Sequence, residues 1–108
     1  MSKPELVIAL YRPKAGNENK LDELVAKHFP TLNEYGLTSG REPFIGRSED
    51  GTILEIFEWK DIVSSKKAHD HPAVAKIWEA MAMVCDFGRL DQLPEAKNMF
   101  PHFAPFGG

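Results

Sequence analysis

Apolar and polar positions divide the chain into runs of two different periods. Leu6 to Arg12 is almost unbroken in its apolar character and is closed by Pro13 and Gly16. A short continuous run of this kind reads as a strand covered on both faces. From Asn17 the period becomes helical. Leu21, Leu24, Val25, His28, Leu32 and Tyr35 share one stripe, with Lys20, Asp22, Glu23 and Lys27 away from it. The spacing predicts a first helix that ends at Gly36 and is kinked near His28 by Pro30, whose ring removes an amide donor and crowds the preceding turn.

Thr38 to Arg47 and Thr52 to Lys60 are extended runs joined through Ser-Glu-Asp-Gly, where Asp50-Gly51 carries the turn chemistry of a hairpin. Pro43 cannot donate to a ladder, which sends the first arm to a sheet edge or a bulge. Asp61 caps a helix read to about Asp70, with a break or restart at Pro72, a favoured first-turn residue. Beyond it Val74, Ile77, Trp78, Met81 and Cys85 form one stripe, and this second helix is expected to end near Gly88. After an irregular stretch through Pro94, a final extended piece from Asn98 to Phe106 repeats Phe100, Phe103 and Phe106 at every third residue. The predicted order is β-α-β-β-α-β.

Two helices cover one face of a four-stranded antiparallel sheet, so the other face should alternate with polar residues. It does not. Ile53, Phe57 and Trp59 on one parity of the third strand are matched by Leu54 and Ile56 on the other, and Leu6, Ile8 and Leu10 of the first strand by Val7, Ala9 and Tyr11. At about 1.5 to 3 kcal/mol per large apolar side chain, a whole face is too much to leave wet. A second copy laid face to face about a twofold axis would bury it, which predicts a homodimer. The alternative is that loops or the Phe-rich tail cover the face within one subunit.

Length and charge narrow the classes. A chain of 108 residues is the size of one domain. Residues 1–108 are therefore read as a single domain, with 94–108 a Pro- and Phe-rich C-terminal extension. The net charge of −3, with no basic block, lacks the footprint of a nucleic-acid or anionic-membrane partner. The first apolar run is too short for a signal sequence or a membrane span, which predicts a cytosolic protein. Cys85 is the sole cysteine, excluding an internal disulfide, and it reads as a small buried hydrophobe.

Candidate chemistry centres on the histidines. His69 lies seven residues after Ile62 and eight before Ile77, so a helix continuous through Pro72 would turn it to the sheet as a base or hydrogen-bond partner. The alternative is a half-buried histidine tied to a backbone carbonyl or to a carboxylate. His28 sits on the inner stripe beside the expected kink, either structural or ligand-facing. Glu55 lies mid-strand, where an ionised carboxylate is costly unless paired. If His28 or His69 reaches it, the pair can orient a base. If Arg12, Arg41 or Arg47 reaches it, the pair is a cross-strand or subunit bridge. Trp59, Trp78 and Met81 either line an aromatic pocket or pack as core, and Tyr11 either binds a ligand oxygen or ends its strand in solvent. His69-x-His71 places its rings on opposite sides of a helix, so no metal site is read. There is no glycine-rich phosphate loop and no recognisable nucleophile setting.

In this order of elements the chain resembles the dimeric α+β barrel superfamily, and within it the antibiotic-biosynthesis-monooxygenase-like branch. The resemblance rests on Tyr11-Arg-Pro-Lys-Ala-Gly16, His28-Phe-Pro-Thr-Leu32, Glu55-Ile-Phe-Glu-Trp59 and Ala68-His69, and it covers roughly the first ninety residues. It implies a ferredoxin-like α+β fold with an antiparallel sheet, two helices on one face, and paired sheets forming a barrel. It implies a pocket rather than one reaction, since the branch includes cofactor-independent monooxygenases of quinols and polyketide aromatics as well as haem-degrading enzymes. The haem-degrading members use an Asn leaving the first strand and a Trp and a His along the second helix. Here Tyr11, His69 and Trp78 stand at or near those places, a departure that argues against haem, and no cofactor is expected. Two readings follow. One is a homodimer holding a small hydrophobic or aromatic molecule, working as a cofactor-free oxygenase or isomerase with His69 as base and Tyr11 or Glu55 orienting the substrate. The other is a non-catalytic dimerisation or partner-binding protein whose core is filled by its own side chains.

Overall fold

The computed structural model describes residues 3–107. β1 (Glu5–Pro13) and β3 (Ile53–Trp59) form the antiparallel centre of a sheet, with Ile8 opposite Ile56 and Tyr11 opposite Ile53. β2 (Phe44–Arg47) flanks β3, β4 (Cys85–Phe87) flanks β1, and β5 (Ala104–Pro105) adds a short edge beyond β2. Gly51, at φ 91°, closes the β2–β3 turn in the left-handed conformation that favours glycine. The Asp50 side chain accepts the Thr52 amide across that turn at 2.9 Å.

α1 (Glu18–Glu34), α2 (Ile62–Asp70) and α3 (Pro72–Val84) pack on one side of the sheet. Leu21 and Val25 of α1 meet Met81 and Val84 of α3 over Tyr11 and Ile53. Phe29 and Leu32 meet Ala68 and Val74 over Phe57 and Trp59. α1 stops where Gly36 turns to φ 68° and Leu37 donates back to the Leu32 carbonyl at 3.1 Å. The architecture is α+β with an antiparallel five-stranded sheet, in keeping with the ferredoxin-like expectation.

The break read at Pro72 is present, with α2 ending at Asp70 and α3 starting at Pro72, whereas other boundaries differ from the sequence reading. His71 is extended at φ −87°, ψ 121°, as a residue before proline tends to be, and its Nδ1 accepts the Ala73 amide at 3.2 Å to cap α3. The last helix ends at Val84 rather than near Gly88, because Cys85–Phe87 peel away to pair with Tyr11–Pro13 as β4. A three-residue strand at a helix end leaves no periodicity to detect. The Asn98–Phe106 piece is accordingly not the fourth strand; only Ala104–Pro105 pair, on the opposite edge. The arm from Thr38 bridges Trp59 once and becomes regular only at Phe44, past Pro43.

The second sheet face is only partly covered by the chain's own tail. Leu93 and Phe103 pack on Leu10, Leu54 and Ile56. The tail crosses so near β2 that a Cβ on Gly46 would lie 3.1 Å from the Ala104 carbonyl oxygen. Glu95 anchors it, accepting the Ser48 hydroxyl at 2.6 Å and the Glu49 amide at 2.9 Å. Leu6, Ile8 and Phe44 remain exposed beyond it, Phe44 at 79%.

Candidate functional site

Strand parity sends Val7, Ala9 and Tyr11 of β1 and Glu55, Phe57 and Trp59 of β3 to the helix side, with Ala9 opposite Glu55. The small Ala9 side chain leaves space above the middle of the sheet. A cavity of about 290 Å3 opens there, walled by Val7, Phe57 and Trp59 and bounded by Tyr11, His28 and Trp78. Exposed His69 and Phe87 stand at its mouth.

Beneath this cavity four side chains form one hydrogen-bonded chain. Glu55, fully buried, accepts the Tyr11 hydroxyl at 2.7 Å and His28 Nδ1–H at 2.7 Å on the same oxygen, Oε1. Trp78 Nε1–H donates to His28 Nε2 at 2.8 Å. An indole nitrogen only donates, so Nε2 must carry a lone pair and the proton of the ring must sit on Nδ1, facing Glu55. The neighbours therefore set the tautomer. Burial, reinforced by the Glu55 carboxylate, pushes the Tyr11 phenol far above its ordinary value and keeps it a donor. The second Glu55 oxygen has no hydrogen-bond partner among the described residues.

Of the alternatives for Glu55, the histidine pair is the one present, with His28 as the partner. The arginines are engaged elsewhere: Arg47 is bidentate to Asp22 at 2.7 and 3.1 Å, Arg41 lies 3.6 Å from Glu58, and Arg12 lies 3.8 Å from Asp50. His28 uses both nitrogens on side chains, so it takes no carbonyl freed by Pro30. Tyr11 is buried, not ending its strand in solvent. His69 does not face the sheet. With the helix broken at His71, Ser64 and Ala68 take the inward stripe, and His69 is exposed with its ring edge-on to Trp78 at 4.9 Å. Met81 is fully buried in the core and is not among the residues lining the cavity, the core side of its two readings. Trp59 and Trp78 do line it.

Phe87 was missed because it fell within the presumed helix. Val7, Ala9 and Phe57 were legible from parity, and the lone small residue between Val7 and Tyr11 was the signal. Burial and the nearby Asp86 push the Cys85 thiol up to about 11, so it is not an activated nucleophile. Among the described residues no group of three or more His, Cys, Asp or Glu side chains is placed to hold a metal ion.

The sequence matches no family model and no curated protein. In structure the chain is similar to a conserved protein of unknown function from Bacteroides thetaiotaomicron, described as a possible oxidoreductase, at TM-score 0.63 and 14% identity over 81% of this chain and 92% of that one. It is similar to a protein of unknown function from Nitrosomonas europaea at TM-score 0.59 and 17% identity, covering 82% and 86%. It is also similar to tetracenomycin F2 cyclase of Streptomyces glaucescens, a type-II polyketide cyclase, at TM-score 0.55 and 15% identity, covering 81% and 82%. At such identities the likeness is one of fold. It supports the α+β, ferredoxin-like architecture described above.

Proposed function

We propose that this protein binds a compact aromatic or otherwise hydrophobic molecule and that His28, oriented by Glu55, accepts a proton from it. The observation that carries this reading is the imidazole tautomer at the edge of an apolar cavity. Nε2 holds the lone pair, and Nδ1–H is held by a buried carboxylate that would stabilise the imidazolium formed on proton uptake. Tyr11 shares the same carboxylate oxygen and helps position it. The cavity is not filled by the chain's own Trp and Phe side chains, which favours ligand binding over the packed-core alternative. The description of one structural neighbour as a possible oxidoreductase and of another as a polyketide cyclase is in keeping with small-molecule chemistry.

Removing a proton from a phenol or enol makes it electron-rich. With dioxygen as co-substrate, such a ring gives a quinone and water: one oxygen atom enters the ring, the other is reduced to water, and the ring supplies the electrons. That is the cofactor-free monooxygenase version; with an internal electrophile the same base would drive an isomerisation. The working unit in this reading is a homodimer, supported by the exposed Leu6, Ile8 and Phe44 on the uncovered part of the sheet.

Calorimetric titration with a panel of bicyclic phenols and quinols, followed by oxygen-electrode and product assays, tests the reading. Wild type should bind at least one member, and His28→Asn should bind comparably while losing turnover by at least a hundredfold. Failure of every aromatic to bind would refute the ligand role. Equal turnover by wild type and His28→Asn would refute the base.

A further inference from the structure

The proposed base is occupied. His28 Nε2 already receives a proton donor from inside the protein, the indole N–H of Trp78, so a substrate hydroxyl cannot reach it in this arrangement. Trp78 is also a cavity wall, only partly buried, and on one side it meets the edge of the exposed His69 ring rather than the core. We propose that Trp78 is a gate whose indole N–H holds the place of the substrate's own hydroxyl. The substrate class this selects is a neutral aromatic hydroxyl compound that exchanges with Trp78 on His28 Nε2. This inference rests on the ligand-binding reading above.

The chemistry of the site sets that class. The Tyr11 proton and the His28 Nδ1 proton both point at Glu55, so the oxygen of Tyr11 and Nε2 of His28 present lone pairs to an incoming group. Among the described residues no Lys or Arg lines the cavity, and a buried carboxylate lies beneath it. A hydroxyl donor matches these acceptors. An ether of the same shape does not, and a carboxylate is repelled. The exchange conserves hydrogen bonds at Nε2, one N–H donor giving way to one O–H donor. Entry of the correct ligand therefore costs little there, while a ligand without a donor leaves Trp78 in place.

The test uses 2-naphthol, 2-methoxynaphthalene and 2-naphthoate as probes of one ring system. The indole N–H resonances of Trp78 and Trp59 in the 15N-labelled protein, assigned by Trp78→Phe, report the gate directly. The Trp78 signal should move with 2-naphthol and stay near its free position with 2-methoxynaphthalene. In Trp78→Phe the preference for 2-naphthol over the ether should rise about fivefold, the loss of one competing hydrogen bond, with the shared ring contacts cancelling in the ratio. 2-Naphthoate should bind weakest to both proteins. An identical Trp78 response to naphthol and ether, or an unchanged preference in Trp78→Phe, would overturn the gate while leaving the cavity a ligand site. Absence of binding by all three probes to wild type would instead refute the ligand-binding reading and the gate with it. Where Trp78→Phe is poorly folded, Trp59→Phe supplies the assignment and the wild-type spectra decide the matter.

Discussion

The two faces of the sheet solve opposite problems. On the helix side, apolar packing encloses a polar chain, Tyr11, Glu55, His28 and Trp78, whose members are useful only because each meets a specific partner. On the other side the cover is mainly apolar, with Glu95 on Ser48 and Glu49 as its polar anchor. Leu93 and Phe103 cover Leu10 and Leu54, and the apolar row beyond them is left open. The first face is specified by directional bonds, so losing one member leaves a neighbour unpaired. The second is specified by area, and any apolar cover of the right shape would serve. In the proposed reading, chemistry belongs to the first and association to the second.

The sharpest way to break this contrast is at Glu55. Glu55→Ala strands two buried donors and should cost about 3 to 5 kcal/mol in urea unfolding, whereas Glu55→Gln, which keeps an acceptor oxygen, should cost much less. Equal stability of the two variants would show that the polar chain is not a mutually dependent unit. On the other face, Leu93→Ala should cost about 2 to 4 kcal/mol by leaving a gap under the tail, without altering ligand affinity. A comparable loss of affinity would mean that the two faces are coupled.

If the proposed dimer uses the open row, Ile8→Glu should act on association rather than folding. It places a charge in the open row and should weaken self-association at least tenfold by sedimentation, with the monomer fold preserved. A wild type that sediments as a monomer at micromolar concentration would remove the dimer from the proposal altogether.

Acid separates the faces more gently. The Ser48 hydroxyl on Glu95, with the Glu49 amide also contributing, holds its carboxyl below the usual value of 4.5. A depressed folded value means that the anchor contributes fully above the unfolded pKa and is lost as pH falls through the folded one. Hydrogen-exchange protection near Phe103, taken relative to the intrinsic rate at each pH, should therefore fall as the pH drops below the usual carboxylate range, and Glu95→Gln should remove that change. The smallest effect is at Cys85. With its thiol raised to about 11, alkylation by iodoacetamide at pH 8 should be far slower than for a free thiol, and Cys85→Ser should leave ligand binding unchanged.

Much of this comparison was legible in the chain. The strands from Leu6 and from Ile53, the helix from Glu18 to Glu34, the hairpin turn at Gly51, and the apolar content of both sheet parities follow from local periods and turn chemistry. The need for Glu55 to be paired also followed, since a carboxylate in an apolar strand must have a partner. What stayed illegible was local brevity and long-range choice. β4 is three residues long, and the two-residue β5 has no alternation to read. The turn at His71 swung His69 out to the mouth, although the Pro72 that causes it was visible.

By itself the sequence determined which segments are extended or helical, that both sheet faces are apolar, and that a buried carboxylate required an answering group. These are properties of neighbours along the chain, where steric preference and spacing act over a few residues. Only the tertiary structure decided that the group is His28 rather than an arginine, that Trp78 sets its tautomer, and that the tail covers one end of the open face. Glu55 and His28 lie 27 residues apart along the chain, and His28 and Trp78 lie 50 apart. Their meeting depends on strand register and helix packing, which fix where a side chain ends in space and which no local pattern encodes.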